Sequence, residues 1–308
     1  MLVSIIIPVY NRETLIIETL ESIDSQSYGN WECLLIDDHS TDNTFKIVQN
    51  YIKDKPRFKL YKRPDNRIKG ANSCRNYGFE ISKGEYINWF DSDDIMHQDF
   101  IFLKSASFTE NIDTVISKTS VFVDTIDNIV YKEHRTNKSE NILEDFLTLE
   151  VSWYLPDSMW KKQFLVNKSL FDEDLFKGQD RDFHTRMLLE QPTIDIINHY
   201  LTYYRRHNES ITVSTSREVI SSFFNSLNKR IALLENNGIS NKVKLTFLKL
   251  QISNYAQLYQ EKEILKKYFF VVKKLFVFNI KNLTIVFKFL IAIISFKILG
   301  KGSILLKN

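Results

Sequence analysis

Short apolar runs alternate with longer amphipathic stretches along the first hundred residues of the chain. The runs are rich in β-branched and aromatic side chains and are bounded by turn-forming residues, a pattern that predicts strands. In the stretches between them, apolar residues recur at helical spacing. The predicted strands are 3–9, 31–37, 58–61 and 85–90, and the predicted helices between them are 12–23, 41–52 and 71–82.

The alternation of strands and helices predicts an α/β fold. Parallel strands joined by right-handed helical crossovers form a Rossmann-like, mostly parallel, doubly wound sheet. Ligands of such sheets bind at the carboxyl ends of the strands. We therefore expect residues with chemical roles directly after the predicted strands.

Beyond residue 94 the periodicity is less regular, and strands and helices follow each other without strict alternation. The predicted strands there are 115–124, 129–133 and 193–204, and the predicted helices are 141–149 and 179–190. Helical spacing dominates from about residue 216, with Asn236–Gly238 as a helix stop. The pattern indicates an α/β domain over residues 1–215, followed by a helical appendage over residues 216–308.

A strong charge asymmetry underlies the modest net charge of +3. Residues 264–308 contain nine lysines and no acidic residue, so the preceding part of the chain has a net negative charge. Lys267, Lys274, Lys281 and Lys288 recur every seven residues and form one polar stripe on a helix. A wide apolar face beside such a lysine stripe is typical of a helix that lies on an anionic membrane surface. Packing of the same helix on the α/β domain is the alternative.

Other partners and locations fit this distribution less well. Nucleic-acid-binding proteins usually carry their basic patch on the folded domain, which is acidic here, so no nucleic acid partner is expected. The longest charge-free apolar run near the end, 289–296, has eight residues, whereas a spanning helix needs about 20. The first residues do not resemble a secretory leader, and Cys33 and Cys74 are too few for a disulfide framework. We expect a cytoplasmic protein, peripheral at the inner face of the membrane.

Acidic residues occur where the predicted strands end and where a later helix begins. Asp37 and Asp38 follow the second strand, residues 91–94 follow the fourth, and Asp180 starts the helix at 179. Carboxylates gathered at strand ends repel each other unless a cation or ligand uses them. Oxygen ligands at this spacing suit Mg²⁺ or Mn²⁺, which keeps open positions for phosphate oxygens. The pattern therefore predicts a metal site that neutralises a diphosphate.

Four sequence blocks occur in an order and spacing that resemble glycosyltransferase family 2, the inverting enzymes of the GT-A fold. They are Ser4–Asn11 (SIIIPVYN), Leu35–Thr44 (LIDDHSTDNT), Ala71–Gly78 (ANSCRNYG) and Lys83–Asp94 (KGEYINWFDSDD). Together they span about the first third of the chain, and a weaker match continues to about residue 210. The resemblance implies a GT-A domain with nucleotide-sugar binding in residues 1–94 and the acceptor side in residues 95–215.

On the donor side, the resemblance implies roles for four residues. Pro8 and Tyr10 match the first-strand motif that lines the uridine pocket, and Asp38 matches the acid that binds the base. Arg75 matches an arginine near the donor. The resemblance therefore favours a UDP-sugar as the donor.

For the metal and the chemistry, the resemblance implies a second set of residues. Asp91 and Asp93 match the DxD motif, in which the first acid faces the ribose or the metal and the second binds the metal. His207 matches a late histidine that completes the metal site. Asp180 matches the aspartate that acts as catalytic base, with Asp182 as the alternative. An inverting transfer needs such a base and a cation on the leaving diphosphate.

Two departures from the family pattern bear on specificity. The glutamate that precedes the base in the family is Gln179 here, which affects whatever that residue does for the acceptor. The Gln-x-x-Arg-Trp signature of processive synthases is absent. We therefore expect transfer of a single hexosyl or N-acetylhexosaminyl group to a glycan or lipid-linked acceptor in surface polysaccharide synthesis.

Other interpretations of the same residues remain open at this point. Asp38 and its neighbour fit a simple turn, Asp180 fits a helix N-terminus, and His207 fits a structural residue. A sugar-nucleotide pyrophosphorylase shares the α/β plan, but its glycine-rich phosphate loop is missing between Tyr10 and Leu15. A non-catalytic nucleotide-sugar-binding or membrane scaffold protein would be expected to lack the DxD motif or the base, and both are present.

Overall fold

The computed structural model describes residues 1–207, 217–235, 238 and 240–255, and this part of the chain contains nine strands and nine α-helices. The strands are β1 (Val3–Val9), β2 (Trp31–Asp37), β3 (Phe58–Lys62), β4 (Tyr86–Trp89), β5 (Ile95–Met96), β6 (Thr114–Val123), β7 (Thr125–Lys132), β8 (Ser158–Lys161) and β9 (Ile194–Arg205). The helices are α1 (Ile16–Asp24), α2 (Thr44–Tyr51), α3 (Ala71–Ile81), α4 (Phe100–Ser107), α5 (Ile142–Leu147), α6 (Lys162–Leu165), α7 (Gln179–Leu189), α8 (Arg217–Glu235) and α9 (Asn241–Tyr255). A 3₁₀ helix, Leu155–Asp157, precedes β8.

The described strands form one sheet with the order β3-β2-β1-β4-β8-β6-β9-β5, and β7 pairs with β6. Strands β3, β2, β1 and β4 are parallel neighbours, as predicted. Beyond β4 the sheet is mixed, because β8 runs antiparallel to both β4 and β6, whereas β9 runs parallel to β6. The chain winds outward from β1 through β2 to β3 and then returns to the other side of β1 as β4. This reversal places a crevice at the carboxyl ends of β1 and β4.

Burial explains why the parallel strands were readable from the sequence. Every residue of β1 and of β2 is buried, so both faces of these strands carry apolar or fully enclosed side chains. Strands covered by helices on both faces read as continuous apolar runs. Strands β6 and β7, which overlap the predicted strands 115–124 and 129–133, pair in antiparallel orientation.

Four short elements had no clear sequence signal. They are β5, α4, β8 and α6. Strand β5 has two residues and β8 has four, so neither is long enough to show a clear alternation of apolar and polar residues. Their pairing partners β9 and β4 are distant in sequence, so only the tertiary fold defines these strands.

Two apolar layers cover the faces of the sheet. In the first layer, β1 and β2 pack against α1, α2 and α4. In the second layer, the opposite face of the sheet packs against α3 and α7. Gly78 of α3 lies directly against β1, since a Cβ atom there would come within 2.3 Å of Ile6. Any side chain at this position would push α3 away from the strand that ends at the crevice.

His184 of α7 is enclosed by aromatic rings in the core of the protein. It contacts Phe146, Trp153, Trp160 and Phe183, and neither ring nitrogen has a hydrogen-bond partner. Burial lowers the pKa of His184 to about 3, so the imidazole is neutral and serves as a core residue.

Helix α8 packs on α7, and α9 packs on α8. Leu227, Ile231 and Leu234 of α8 are buried, as are Val243 and Phe247 of α9. Helix α8 ends at Glu235, directly before the predicted helix stop. No helix in the described part of the chain combines the length and hydropathy needed to cross a bilayer. The predicted lysine stripe of residues 267–288 lies outside the described residues.

Candidate functional site

The loops after β1 and β2 are joined by hydrogen bonds at the carboxyl edge of the sheet. Asn11 has a left-handed backbone with φ of 49°, and its side-chain oxygen accepts the N–H of Thr41 at 2.8 Å. The Asn11 N–H in turn donates to the Ser40 hydroxyl at 3.1 Å. Asparagine tolerates this backbone region better than most residues, so the motif residue fits its position. These bonds fix one wall of the crevice.

Asp37 and Asp38 have different surroundings although they are adjacent. The Asp37 carboxylate accepts the N–H of Ser40 at 3.1 Å, which is the turn interaction considered above. Asp38 is buried and forms an ion pair with Arg63, whose Nε lies 2.5 Å from Oδ1. The loop residue Arg63 follows β3 and was not singled out from the sequence. Asp38, the predicted base-binding residue, is therefore already neutralised by an arginine.

Pro8 lies in β1 and Tyr10 lies in the loop that follows it, and of the two only Tyr10 is accessible to solvent. Pro8 is buried in β1 opposite Ile36 of β2. The Tyr10 side chain is 37% exposed, and the ammonium of Lys69 lies 4.1 Å from the centre of its ring. Tyr10 therefore offers an accessible aromatic face at the edge of the crevice, whereas Pro8 shapes the backbone beneath it.

Arg75 of α3 is buried and reaches the first acid of the DxD motif. Its guanidinium donates to Oδ1 of Asp91 at 2.9 Å and to the Asn72 side chain at 3.1 Å, while its Nε has no partner. Burial raises the pKa of Asp91, and the Asp93 and Asp180 carboxylates raise it further, against the lowering effect of Arg75. The hydrogen bond from Arg75 therefore fixes the Asp91 carboxyl and partly offsets the effect of burial on its pKa.

Asp93 joins the first and last segments of the site. Its Oδ2 accepts from Nε of Arg12 at 3.2 Å and lies 3.1 Å from Nε2 of His207. Burial alone would raise the pKa of Asp93, but the hydrogen bond from His207 and the charge of Arg12 outweigh it and hold the pKa below its usual value. Arg12 was not predicted. Its position in a loop after a parallel strand is the sequence signal that could have identified it.

Asp94 completes the acidic run but is enclosed in the protein. It is fully buried, its Oδ1 accepts the backbone N–H of Arg205 at 2.9 Å, and Oδ2 has no partner. Burial raises the pKa of Asp94 well above its usual value, which favours the neutral acid. Asp94, the residue before β5, is therefore linked to the end of β9 and is enclosed in the protein.

Asp180 lies in the first turn of α7 and is partly exposed. Its Oδ1 accepts the N–H of Arg181 at 2.8 Å. Asp182, two residues later, is buried and forms an ion pair with Arg186 at 2.7 Å. Of these two carboxylates, Asp180 is the accessible one, because Asp182 is enclosed and already paired.

A second arginine, Arg181, lies directly beside Asp180 in the sequence and joins α7 to the neighbouring segment. The guanidinium of Arg181 donates to the Phe146 carbonyl at 2.8 Å and to the Ser152 hydroxyl at 3.1 Å. Burial lowers the pKa of Arg181 to about 10, and the Asp180 carboxylate acts in the opposite direction. Arg181 thus anchors the start of α7 to the segment around α5.

The donor set of the crevice suits a hard divalent cation. Asp93 and His207 present an oxygen and a nitrogen 3.1 Å apart, and Asp91 follows the same strand. Within residues 1–207 and the later described segments, no three His, Cys, Asp or Glu side chains are gathered as a complete set of metal ligands. Mg²⁺ and Mn²⁺ sites in enzymes often use one or two protein ligands and take the rest from substrate phosphates. The residues present fit such a site.

The sequence match agrees with this geometry. A family model described as glycosyl transferase family 2 matches residues 4–175, more than half of the chain. The chain belongs to glycosyl transferase family 2. This confirms the predicted family and excludes the pyrophosphorylase interpretation.

Proteins named as glycosyltransferases are also found among the similar sequences. An uncharacterized glycosyltransferase from Haemophilus influenzae is 44% identical over 98 residues, which cover 32% of this chain and 38% of that protein. Glycosyltransferase GlyG from Streptococcus pneumoniae is 28% identical over 240 residues, which cover 72% of this chain and 78% of GlyG. The chain therefore matches well under half of the first relative and most of the second.

Two solved structures of glycosyltransferases share the fold. Residues 1–349 of TarS from S. aureus, in complex with UDP-GlcNAc, match with a TM-score of 0.70 and 19% identity, covering 89% of this chain and 80% of that one. The mannosyltransferase PcManGT from Pyrobaculum calidifontis, in complex with GDP-Man and Mn²⁺, matches with a TM-score of 0.53 and 15% identity, covering 97% and 87%. The predicted GT-A fold is confirmed, and at these identities the likeness concerns the fold alone.

Proposed function

We propose that this glycosyltransferase moves a single sugar, with inversion, from a nucleotide-diphosphate sugar to a glycan or lipid-linked acceptor. The observation that supports the proposal is the cluster of charged side chains after β4, where Asp93 contacts Arg12 and His207 and Asp91 accepts a hydrogen bond from the buried Arg75. Asp91 and Asp93 repel each other, and a bound cation would offset this repulsion. An inverting transfer needs such a cation on the leaving group and a base for the acceptor.

On the donor side, the nucleotide is proposed to lie across the loops after β1 and β2. Tyr10 provides an exposed ring, and Asp38 and Arg75 are buried polar groups at the floor of the crevice. A UDP-sugar of the hexosyl or N-acetylhexosaminyl type is the favoured donor. The presence of UDP-GlcNAc in the TarS structure supports this choice.

On the leaving-group side, Asp93 and His207, together with Asp91, would hold Mn²⁺ or Mg²⁺. The ion supplies positive charge that neutralises the departing diphosphate. The Mn²⁺ in the PcManGT structure supports this assignment. In the described structure, Arg12 and Arg75 balance the charges of these carboxylates. The two arginines are therefore also near enough to attract phosphate oxygens.

On the acceptor side, Asp180 is proposed to accept the proton of the attacking hydroxyl. Its partial exposure leaves the carboxylate accessible, while its neighbour Arg181 is anchored away from it. A carboxylate needs hydrogen-bond reach to the hydroxyl that it deprotonates. The family's Glu-Asp pair is Gln179-Asp180 in this chain, so Asp180 is the carboxylate of this pair that can act as the base.

A donor panel tests the proposed function directly. We expect UDP-sugars to raise the melting temperature in the presence of Mn²⁺ but not of EDTA, because a ligand that binds only the folded state stabilises it. Slow hydrolysis of the same donor, measured as the released nucleoside diphosphate, reports the chemistry without a known acceptor. The panel contains UDP-glucose, UDP-galactose, UDP-GlcNAc and GDP-mannose. A chain that is stabilised by none of them, or equally with and without metal, would contradict the proposal.

The lysine-rich tail is proposed to hold the enzyme at an anionic membrane surface, on the cytoplasmic face, where lipid-linked acceptors of surface polysaccharide synthesis are found. Each lysine near such a surface contributes about 1 kcal/mol. Replacing Lys267, Lys274 and Lys281 with glutamine should therefore weaken partitioning onto anionic vesicles about 10²-fold. The measurement is co-sedimentation at low and high salt, since the attraction is screened by ions.

The matched control for the tail variant carries the same charge change elsewhere. Lys46, Lys53 and Lys83 are exposed on the α/β domain, and their replacement with glutamine should leave vesicle binding unchanged. Cutting the chain after residue 263 should abolish vesicle binding and preserve UDP binding. Equal binding by the tail variant and the control would show that the tail packs on the protein.

A further inference from the structure

Helix α8 presents a polar row to the segment that leads into α7. Ser222, Ser226 and Arg230 follow each other at intervals of four residues, so they lie on one face of the helix. All three are buried, with 4%, 0% and 1% of their surface exposed. Buried polar side chains usually persist because they bind specific partners.

The two serines bind the backbone of three consecutive residues. The Ser222 hydroxyl oxygen accepts the N–H groups of Phe176 at 2.7 Å and Lys177 at 3.1 Å. The Ser226 hydroxyl donates to the carbonyl oxygen of Gly178 at 3.0 Å. Residues 176–178 are therefore held by α8 through three hydrogen bonds, immediately before the first residue of α7.

The contact between α8 and this segment is close enough to require glycine. Gly178 has a left-handed backbone with φ of 78°, and a Cβ atom there would lie 2.8 Å from Oγ of Ser226. A helix start is commonly fixed by a side chain at the N-cap, but Gly178 has no side chain and the cap makes no such bond. The Gly178 carbonyl also accepts the N–H of Asp182, the first bond of α7. The hydroxyl of Ser226 thus donates to the same carbonyl that begins the hydrogen bonding of α7, and so ties the helix start to α8.

From this geometry we propose that Ser222 and Ser226 are positioning residues for Asp180, which lies two residues beyond the segment they hold. The inference rests on the proposed role of Asp180 as base. A displacement of about 1 Å in a catalytic group can cost about 10²-fold in rate. The hydroxyls of α8 therefore set the rate of the chemical step without contacting the substrate.

The test compares Ser222→Ala, Ser226→Ala and Ser222→Thr, which keeps a hydroxyl. The matched control is Ser221→Ala, which removes an exposed hydroxyl from the same helix. UDP release from the donor that gives the highest rate in the panel is measured in Mn²⁺, together with the UDP dissociation constant. Hydrogen exchange at Phe176 and Lys177 reports whether the segment has been released.

We expect both alanine variants to lower kcat about 10- to 10²-fold with unchanged KM and UDP affinity, and to speed amide exchange at Phe176 or in α7. Ser222→Thr should recover most of the rate, and Ser221→Ala should match the wild type. Rates equal to that of Ser221→Ala would overturn the proposal, as would a parallel loss of kcat and UDP binding. If Asp180→Asn retains full activity, the assignment of Asp180 as the base is wrong. If Asp180→Asn is inactive but the serine variants are fully active, only the positioning role of the serines is wrong.

Discussion

Replacement of Asp180 by asparagine should leave UDP affinity unchanged and lower the rate of UDP release by about 10²- to 10⁴-fold. Asparagine keeps the shape of the side chain, and its amide oxygen can still accept the N–H of Arg181. It cannot accept a proton from the attacking hydroxyl or water. Steady-state UDP release and calorimetric titration with UDP and Mn²⁺ separate the two effects.

The matched control for this variant is Asp182→Asn, which makes the same chemical change one half-turn away. Asp182 is buried against Arg186, so the change removes a structural ion pair and should lower the melting temperature. The rate of UDP release should remain near that of the wild type. If Asp182→Asn were the slower of the two variants, the base would have to be reassigned to Asp182.

Asp93→Ala should weaken UDP binding in Mn²⁺ by about 10²-fold and leave the weaker binding in EDTA unchanged, because the carboxylate is proposed to hold the ion that meets the diphosphate. The fold should survive, since Arg12 and His207 keep part of their exposure to solvent when their partner is removed. The measurement is calorimetric titration with UDP, with and without Mn²⁺, supported by thermal melting.

Asp94→Asn is the control that distinguishes the metal site from the rest of the acidic run. Its burial favours the neutral acid, which asparagine imitates. The Mn²⁺-dependent affinity for UDP should therefore change by less than about tenfold. If Asp94→Asn lost the Mn²⁺-dependent affinity for UDP and Asp93→Ala kept it, Asp94 rather than Asp93 would be the metal ligand.

Much of the structure of residues 1–94 could be predicted because local signals and tertiary structure agree there. Strands β1, β2 and β4 are buried and continuous in the sequence pattern, and the DxD motif follows β4 directly. The parallel arrangement then places the loops of neighbouring strands side by side. The positions of Tyr10, Asp38 and Asp91 at one edge follow from these facts alone.

The partners of the acidic residues could not be predicted in the same way. Arg12 reaches Asp93 across 81 positions of the sequence, and Arg63 reaches Asp38 across 25. Such pairs depend on loop conformation, for which periodicity carries no information. The contact of α8 with the start of α7 is a further case, because Ser222 and Ser226 read as ordinary helix residues until their backbone partners are known.

The sheet order has a consequence for the chain during its synthesis. Strand β4 is complete at Trp89, but its outer neighbour β8 begins only at Ser158, and β8 in turn is bordered by β6. While the ribosome extends the chain between these points, the first four strands can fold but β4 has an unpaired edge. Unpaired edges recruit other strands. Substitutions that slow the docking of β8 should therefore reduce the yield of new protein through aggregation, even where the finished enzyme is as stable as before.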